Sequence, residues 1–488
     1  MKKVWFITGS QHLYGPETLK EVADHVTEMV NFLNSKDEIV CEVVNKGTLT
    51  TPDEITDMLS EAQYDKECVG VIAWMHTFSP SKMWINGLAN YSKPFLHLHT
   101  QYNKEIPWNE IDMDFMNLNQ AAHGDREHGF IHTRMGRSRK VIAGYYKEDR
   151  TVKRIENWIR VAIGIAVSKN LKVCRFGDNM RQVAVTEGNK VSAQINFGWQ
   201  VNTWPVGDLV EYVNAVTEEE ISTQLAEYKE RYDINTINLE SIRYQAKLNI
   251  AMKKCLDKIG AKAFTDTFED LHGLEQLGGL ASQNLMYDGY GFGGEGDWKT
   301  SAMTHIVKEM TKGRTGGTSF MEDYTYHMVN DGYVLGSHML EVCPTIANGK
   351  PRIEVHHLGI GGKSAPARVL FDGKKGDALQ ISLIELDNRY RMIVNKVDAF
   401  PALEKMPKLP VGNVMWKPLP NLETATEAWI YAGGAHHTVM TYDLDIETLR
   451  DYAEYFDIEF VVIDENTKLD CFKDKLRLND LVSRLRQS

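Results

Sequence analysis

In the first third of the chain, short apolar runs alternate with longer stretches whose apolar positions recur every three or four residues, and this alternation predicts a parallel sheet flanked by helices. Residues 4–8, 39–44, 69–74 and 95–99 read as strands. Between them, residues 17–33 carry helical periodicity after Pro16, and Thr51-Pro52-Asp53-Glu54 reads as an N-cap with a capping box. The predicted unit is a doubly wound α/β domain. Ligands of such sheets gather beyond the carboxyl ends of the strands, where Gly9-Ser10-Gln11-His12, His76-Thr77-Phe78 and His99-Thr100-Gln101 form a polar cluster.

A helix over 152–168 leads to a strand over 171–176 and the polar turn Gly177-Asp178-Asn179. The middle region is again α/β, with a charged helix over 241–259 and a strand over 264–268. From Ser319 the pattern turns β-rich: 334–340, 352–357, 367–371, 378–386 and 389–397 read as strands of an antiparallel barrel or sandwich. Five of the 14 prolines fall between Pro401 and Pro420, which predicts an extended connector and not a helix or central strand. The expected organisation is an N-terminal α/β domain (1–170), a central α/β domain (171–318) and a C-terminal antiparallel β-rich, barrel-like domain (319–488).

Composition narrows the class. With 488 residues, 43% hydrophobic and 25% charged, the chain has the make-up of a soluble globular enzyme of several domains. A net charge of −12 without a run of Lys or Arg argues against nucleic acid, an anionic membrane surface or a polyanionic substrate. The start Met1-Lys2-Lys3 is followed by too short an apolar run for a signal segment, and no window reaches a membrane span. Six scattered cysteines without a C-x-x-C pair fit a reducing cytoplasm.

Four segments far apart carry residues suited to a divalent metal: Glu295 in Gly-Glu-Gly-Asp-Trp, Glu322 in Met-Glu-Asp-Tyr, His338 in Gly-Ser-His-Met and His437 in Ala-His-His-Thr. Each also has a plainer reading. Glu295 could be a solvated loop carboxylate. Glu322 in an extended segment shares a face with Tyr324 and Tyr326, while Asp323 shares the other with Thr325 and His327, so one of the two acids points into a site. His338, on a strand face with Val334, Gly336 and Leu340, could be a buried core histidine. His436 and His437 follow Gly433-Gly434 and an apolar strand over 428–431, and as neighbours on a strand they face opposite ways. The formal G-x-G-x-x-G at Gly289, Gly291 and Gly294 follows a helical stretch with no β-α-β unit around it, so its glycines are expected to let backbone crowd a ligand near Glu295. Gly361-Gly362-Lys363-Ser364 lacks the first glycine of a phosphate loop, the position being His357.

Taken together, the segments are more specific than any one of them. Gly9-Ser10-Gln11-His12-Leu13-Tyr14-Gly15-Pro16-Glu17-Thr18-Leu19, His76-Thr77-Phe78-Ser79-Pro80, Met113 to Gln120, Cys174-Arg175-Phe176-Gly177-Asp178-Asn179-Met180-Arg181, Gly294 to Thr300, Phe320 to His327 and Gly433 to Thr438 closely resemble the L-arabinose isomerase family, in its order and nearly end to end. The resemblance implies two α/β domains before a β-rich one and a homo-oligomer, a hexamer or tetramer. It implies one Mn²⁺ per subunit, replaceable by Co²⁺ or Mg²⁺, on Glu295, Glu322, His338 and His437, with both glutamates as the acid/base pair. Sugar contacts would fall on Gln11, Leu13, Phe78, Met180, Phe268 and, from a neighbouring subunit, His123.

The residue types agree with that chemistry. Aldose to ketose conversion moves a proton between C2 and C1 of the open-chain sugar, which requires a base, an acid and a stabiliser of enediolate charge. Oxygen and nitrogen ligands without thiolate favour Mn, Co or Mg over structural zinc. A non-catalytic sugar-binding protein would need no second carboxylate, and a metal-dependent hydrolase would need room for an activated water and a labile bond. L-arabinose to L-ribulose conversion, with D-galactose to D-tagatose as a side activity, is the function the resemblance implies.

Overall fold

The computed structural model describes residues 2–387 and 389–487, which form two compact units, 1–166 and 167–488. In the first, strands β1 (Lys3–Gly9), β2 (Glu42–Leu49), β3 (Cys68–Trp74), β4 (Phe95–His99) and β5 (Lys140–Ala143) make one parallel sheet in the order β2-β1-β3-β4-β5. Both faces are covered, as a doubly wound sheet requires. Helix Gly15–Asn34 carries Pro16 in its first turn and turns Val22, Val26, Met29, Val30 and Leu33 onto one face; helix Pro52–Tyr64 buries Ile55, Leu59 and Ala62 on the other. The latter begins with the expected capping box: Thr51 accepts the Glu54 amide and the Glu54 carboxylate accepts the Thr51 amide at 3.1 Å. The second strand starts at Glu42, three residues later than its apolar run predicts, where the Asn34 side chain grips both backbone groups of Val43.

This unit buries a set of histidines. Asp125 accepts His97 and His99, each at 2.6 Å, while His128 and His132 meet at 3.1 Å behind them and His76 meets His25 at 2.8 Å. Burial pushes His76 and His132 down to about 3 and His128 well below its ordinary value, with Arg139 and neighbouring histidines adding to the effect on the last two. A histidine whose folded pKa is depressed contributes stability above its unfolded pKa and loses it as pH falls towards the folded one. The unit is therefore expected to destabilise between about pH 6.5 and pH 3, His76 and His132 each costing about 2–3 kcal/mol by about pH 4.5 and His128 acting in the same direction. Amide exchange of residues 95–135 over that range checks this; protection unchanged to pH 4 would remove it.

The second unit contains two sheets and a barrel. Strands β6 (Lys172–Phe176), β7 (Gln200–Trp204), β9 (Ala263–Thr265) and β10 (Gly291–Gly293) form the parallel central sheet, in the order β10-β9-β6-β7, and β8 (Asp233–Ile234), β13 (Arg352–Val355) and β14 (Ala367–Leu370) form a small three-stranded one. The strand expected over 264–268 is β9, which ends at Thr265. Strands β11 (Thr318–His327), β12 (Tyr333–Ser337), β15 (Gly376–Leu386), β16 (Arg389–Phe400), β17 (Val414–Pro418) and β18 (His437–Thr441) close an antiparallel barrel in the cyclic order β15-β18-β11-β12-β17-β16, and β19 (Glu459–Ile463) adds to β16 in parallel. Helix Trp298–Met310, buried along almost its whole length, packs against β9 and β10 on one side and β11 and β18 on the other.

Two expectations are corrected. Residues 428–431 are helical, not a strand: helix Leu422–Ala432 is capped by Asn421, ends on left-handed Gly433, and its apolar run is the buried face Leu422, Ala425, Ala428 and Ala432. The proline-rich stretch 401–420 is irregular only to about residue 412. β17 then pairs with β12 and β16, and its Pro418 is tolerated as the terminal residue. The glycine motif follows helix Gly279–Tyr287, as expected, and straddles β10, the last strand of the unit β9, helix Gly279–Tyr287 and β10, with no such unit around it.

Candidate metal centre and active site

Glu295 lies where the central sheet hands over to the barrel. β10 ends at Gly293, the chain turns through Gly294-Glu295-Gly296, and Asp297 caps helix Trp298–Met310 by accepting the Thr300 amide at 3.1 Å. Glu295 itself is left-handed (φ 60°), as is Gly296 (φ 79°). Non-glycine residues adopt that conformation at a cost, and it concentrates at functional sites. The turn is held by backbone bonds from Met180 to Glu295 (3.0 Å) and from Gly296 to Asp266 (2.8 Å), and a Cβ on Gly296 would lie 2.5 Å from Asn179 Cα.

The barrel supplies the other candidates. β11 places Glu322 opposite Ser337 of β12 and opposite His437 of β18, and side chains directly across an antiparallel pair share a face. His338, expected inside a strand, is the first residue beyond β12 and is buried, as is His437. Glu295, His338 and His437 offer one donor atom each within 4.8 Å of one another, a set that could hold a metal ion; Glu322 lies outside that group. The strict alternation expected around Glu322 is broken by a shift of register between Asp323 and Thr325, which lets the Tyr326 hydroxyl donate to Asp323 at 3.4 Å.

Both imidazoles are oriented from behind. Glu341 accepts from His338 Nδ1 at 2.5 Å and also takes the Leu340 amide, while Asp297 accepts from His437 Nδ1 at 3.2 Å. Each Nε2 is thereby directed to the front, and that of His437 is buried without a hydrogen-bond partner. This carboxylate–histidine arrangement is the one metal-binding imidazoles use. Gly294 leaves the room: a Cβ there would stand 3.1 Å from His338 Nε2. Phe320 packs edge-on against both rings, and Phe268 stacks parallel to His338 with centroids 6.2 Å apart.

The electrostatics also suit a cation. His436 donates to Glu295 at 3.4 Å, and this bond, with the nearby imidazoles, keeps the half-buried Glu295 below the usual carboxylate range. Burial opposes charge on Asp297, yet Lys299, His437 and the Thr300 amide together lower it to about 2. Burial likewise opposes charge on His338, but Glu341, Glu322 and Glu295 outweigh it and raise its pKa. A carboxylate-rich pocket that draws protons onto an imidazole is one where a divalent cation finds its charge already balanced.

The remaining expected site residues fall in two groups. Met180 and Phe268 adjoin the metal candidates, through the backbone bond to Glu295 and the stack on His338. Gln11, Leu13, Phe78 and His123 lie in the first unit, beyond the carboxyl ends of β1 and β3 and on the first turn of helix Ala121–Arg134. There Gln11 donates to the Phe78 carbonyl at 3.2 Å and the Phe78 and His123 rings stand 4.9 Å apart, lining an open depression with Arg126 and Glu127. Leu13 is 82% exposed. Asp297 and Glu341 carry no site signal in the sequence, and His436, expected to face away from His437, also reaches Glu295 because it lies one residue ahead of β18. A Glu three residues after a histidine has no distinguishing pattern, and Asp297 announces itself only as a helix cap.

The comparisons agree along the whole length. Domain models described as the L-arabinose isomerase N-terminal, central and C-terminal domains match residues 1–170, 172–313 and 317–459. Proteins named L-arabinose isomerase from Thermotoga petrophila, Geobacillus stearothermophilus and Klebsiella pneumoniae are 55%, 54% and 53% identical, each over 98% of this chain and 97% of its own. Matched in all three domains and by relatives above half identity, the chain belongs to the L-arabinose isomerase family and is an isomerase.

Proposed function

We propose that this chain interconverts L-arabinose and L-ribulose, with Glu295 and Glu322 exchanging protons at C2, C1 and the adjacent oxygens, and with Glu295, Glu322, His338 and His437 holding one divalent cation, Mn²⁺ with Co²⁺ or Mg²⁺ as substitutes. The observation that carries the reading is the convergence of three donor atoms within 4.8 Å, both imidazoles being held by carboxylates behind them. A divalent ion, when bound, polarises the carbonyl and orients the open-chain sugar. Glu295 enters the cycle ionised, held so by His436, and can accept a proton; Glu322, on the strand face it shares with His437, serves the second position. Phe268 and Phe320 exclude water beside His338. Gln11, Leu13, Phe78, Met180 and Phe268 contact the sugar in this reading, with His123 supplied by a neighbouring subunit of a hexamer or tetramer. The divisions near residues 170 and 318 separate its domains.

Six free cysteines, five of them buried, support a reducing cytoplasm, and no described helix is long and apolar enough to cross a membrane. The test is ketose formation from L-arabinose by metal-stripped protein with and without Mn²⁺. Restoration by metal supports the reading; turnover indifferent to metal, or absent with it, defeats it. D-galactose shares configuration with L-arabinose at C2 to C4 and adds a hydroxymethyl group, a difference worth about 1–3 kcal/mol to a pocket. D-Tagatose is therefore expected from galactose at roughly 10–200-fold lower kcat/KM, and no ketose at saturating galactose would refute this.

A further inference from the structure

Side chains alternate along β11 and β18, so the residues after Glu322 and His437 turn away from the metal candidates and into the barrel. These are Asp323 and Thr438. With Gln380 of β15, Asn395 of β16, Trp416 and Trp429 they line a cavity of about 40 Å³. Gln380 is only 4% exposed; its Oε1 accepts the Thr438 hydroxyl at 2.6 Å, and its Nε2 has no protein partner. A buried amide N–H₂ without an acceptor is costly, and native interiors avoid it. Asp323 faces the same space with acceptor capacity to spare, since its one side-chain donor is the Tyr326 hydroxyl at 3.4 Å.

We propose that the barrel interior holds a cluster of two or three ordered water molecules bridging Gln380 to Asp323, directly beneath the strands that carry Glu322 and His437. The volume admits it, at roughly 10–15 Å³ per water, and Gln380, Asp323, Thr438 and Asn395 give a wall otherwise built of Val334, Trp416, Leu422, Ala425 and Trp429 the polar atoms that water needs. Water also satisfies both ends at once, accepting from the Gln380 amide and donating to the Asp323 carboxylate. A metal cation would suit Asp323 but would meet the amide hydrogens of Gln380. The cluster would complete a polar stitch that runs from Thr438 of β18, whose hydroxyl donates to Gln380 of β15, across to Asp323 of β11. Nothing in this depends on the reaction assigned to the front of the same strands.

A crystal structure of the full chain at a resolution that shows water decides the matter. Density within hydrogen-bond distance of both Gln380 Nε2 and the Asp323 carboxylate is expected; a dry cavity or a coordinated ion there overturns the proposal. Independently, Gln380→Met should lower the midpoint of thermal unfolding by about 1–4 °C, because it removes a satisfied donor. A rise in the midpoint would mean the amide was unsatisfied and the cavity dry. Should Gln380→Met not fold, the density in the wild-type crystal remains decisive.

Discussion

Glu295→Gln and Glu322→Gln are each expected to lower kcat for L-arabinose by ~10²–10⁴-fold, the usual contribution of one positioned acid or base. Glutamine keeps the size of the side chain and can occupy the left-handed position of residue 295 at the same backbone cost, so the fold should survive. What it removes is the exchangeable proton and the charge that His436 and His338 now face. Turnover at saturating Mn²⁺, with circular dichroism to verify folding, measures the effect. A variant retaining more than about a tenth of wild-type kcat would lie well short of that contribution and would lose its place in the proton transfer.

Asp297→Asn is expected to weaken metal binding by ~10–100-fold, as loss of a carboxylate behind a metal-binding imidazole does. Asp297 does three things at once: it accepts His437 Nδ1–H, caps helix Trp298–Met310 and lies 4.0 Å from the equally buried Lys299. Asparagine can still cap the helix, so the substitution isolates the charge. Titrating Mn²⁺ into stripped protein and following either binding heat or recovered turnover gives the affinity. Wild-type affinity in the variant would show that His437 is oriented by packing against Phe320 and not by Asp297.

Why some of this was legible in the sequence and some not has physical causes. Strands β1 and β3 are buried on both faces and read as apolar runs, and the Thr51 box is local chemistry that needs no tertiary partner. Glu295, His338 and His437 stood out as metal-ligating residue types, and three distant segments do meet. By contrast, 428–431 looks like a strand because the small alanines of helix Leu422–Ala432 blur its period. The bulge after Asp323 is dictated by β12 and cannot be read from β11 alone. Glu341 and Asp297 acquire their roles from rings they meet only in the folded state, so single-sequence reading had no signal for the first and only a capping signal for the second.

The ladder pairing that sets Glu322 across from both His437 and Ser337 bears on which length changes this chain can accept. A side chain changes face with every one-residue slip of a strand. A single residue inserted between Thr318 and Met321 would therefore send Glu322 into the barrel and bring Asp323 outward, whereas an insertion of two would restore the facing at the expense of a displaced ladder. The irregular segment 401–412 ahead of β17 has no such constraint, and lengthening it costs only the slow logarithmic entropy of a longer loop. Natural and engineered insertions should accordingly collect in 401–412 and be absent from 318–322.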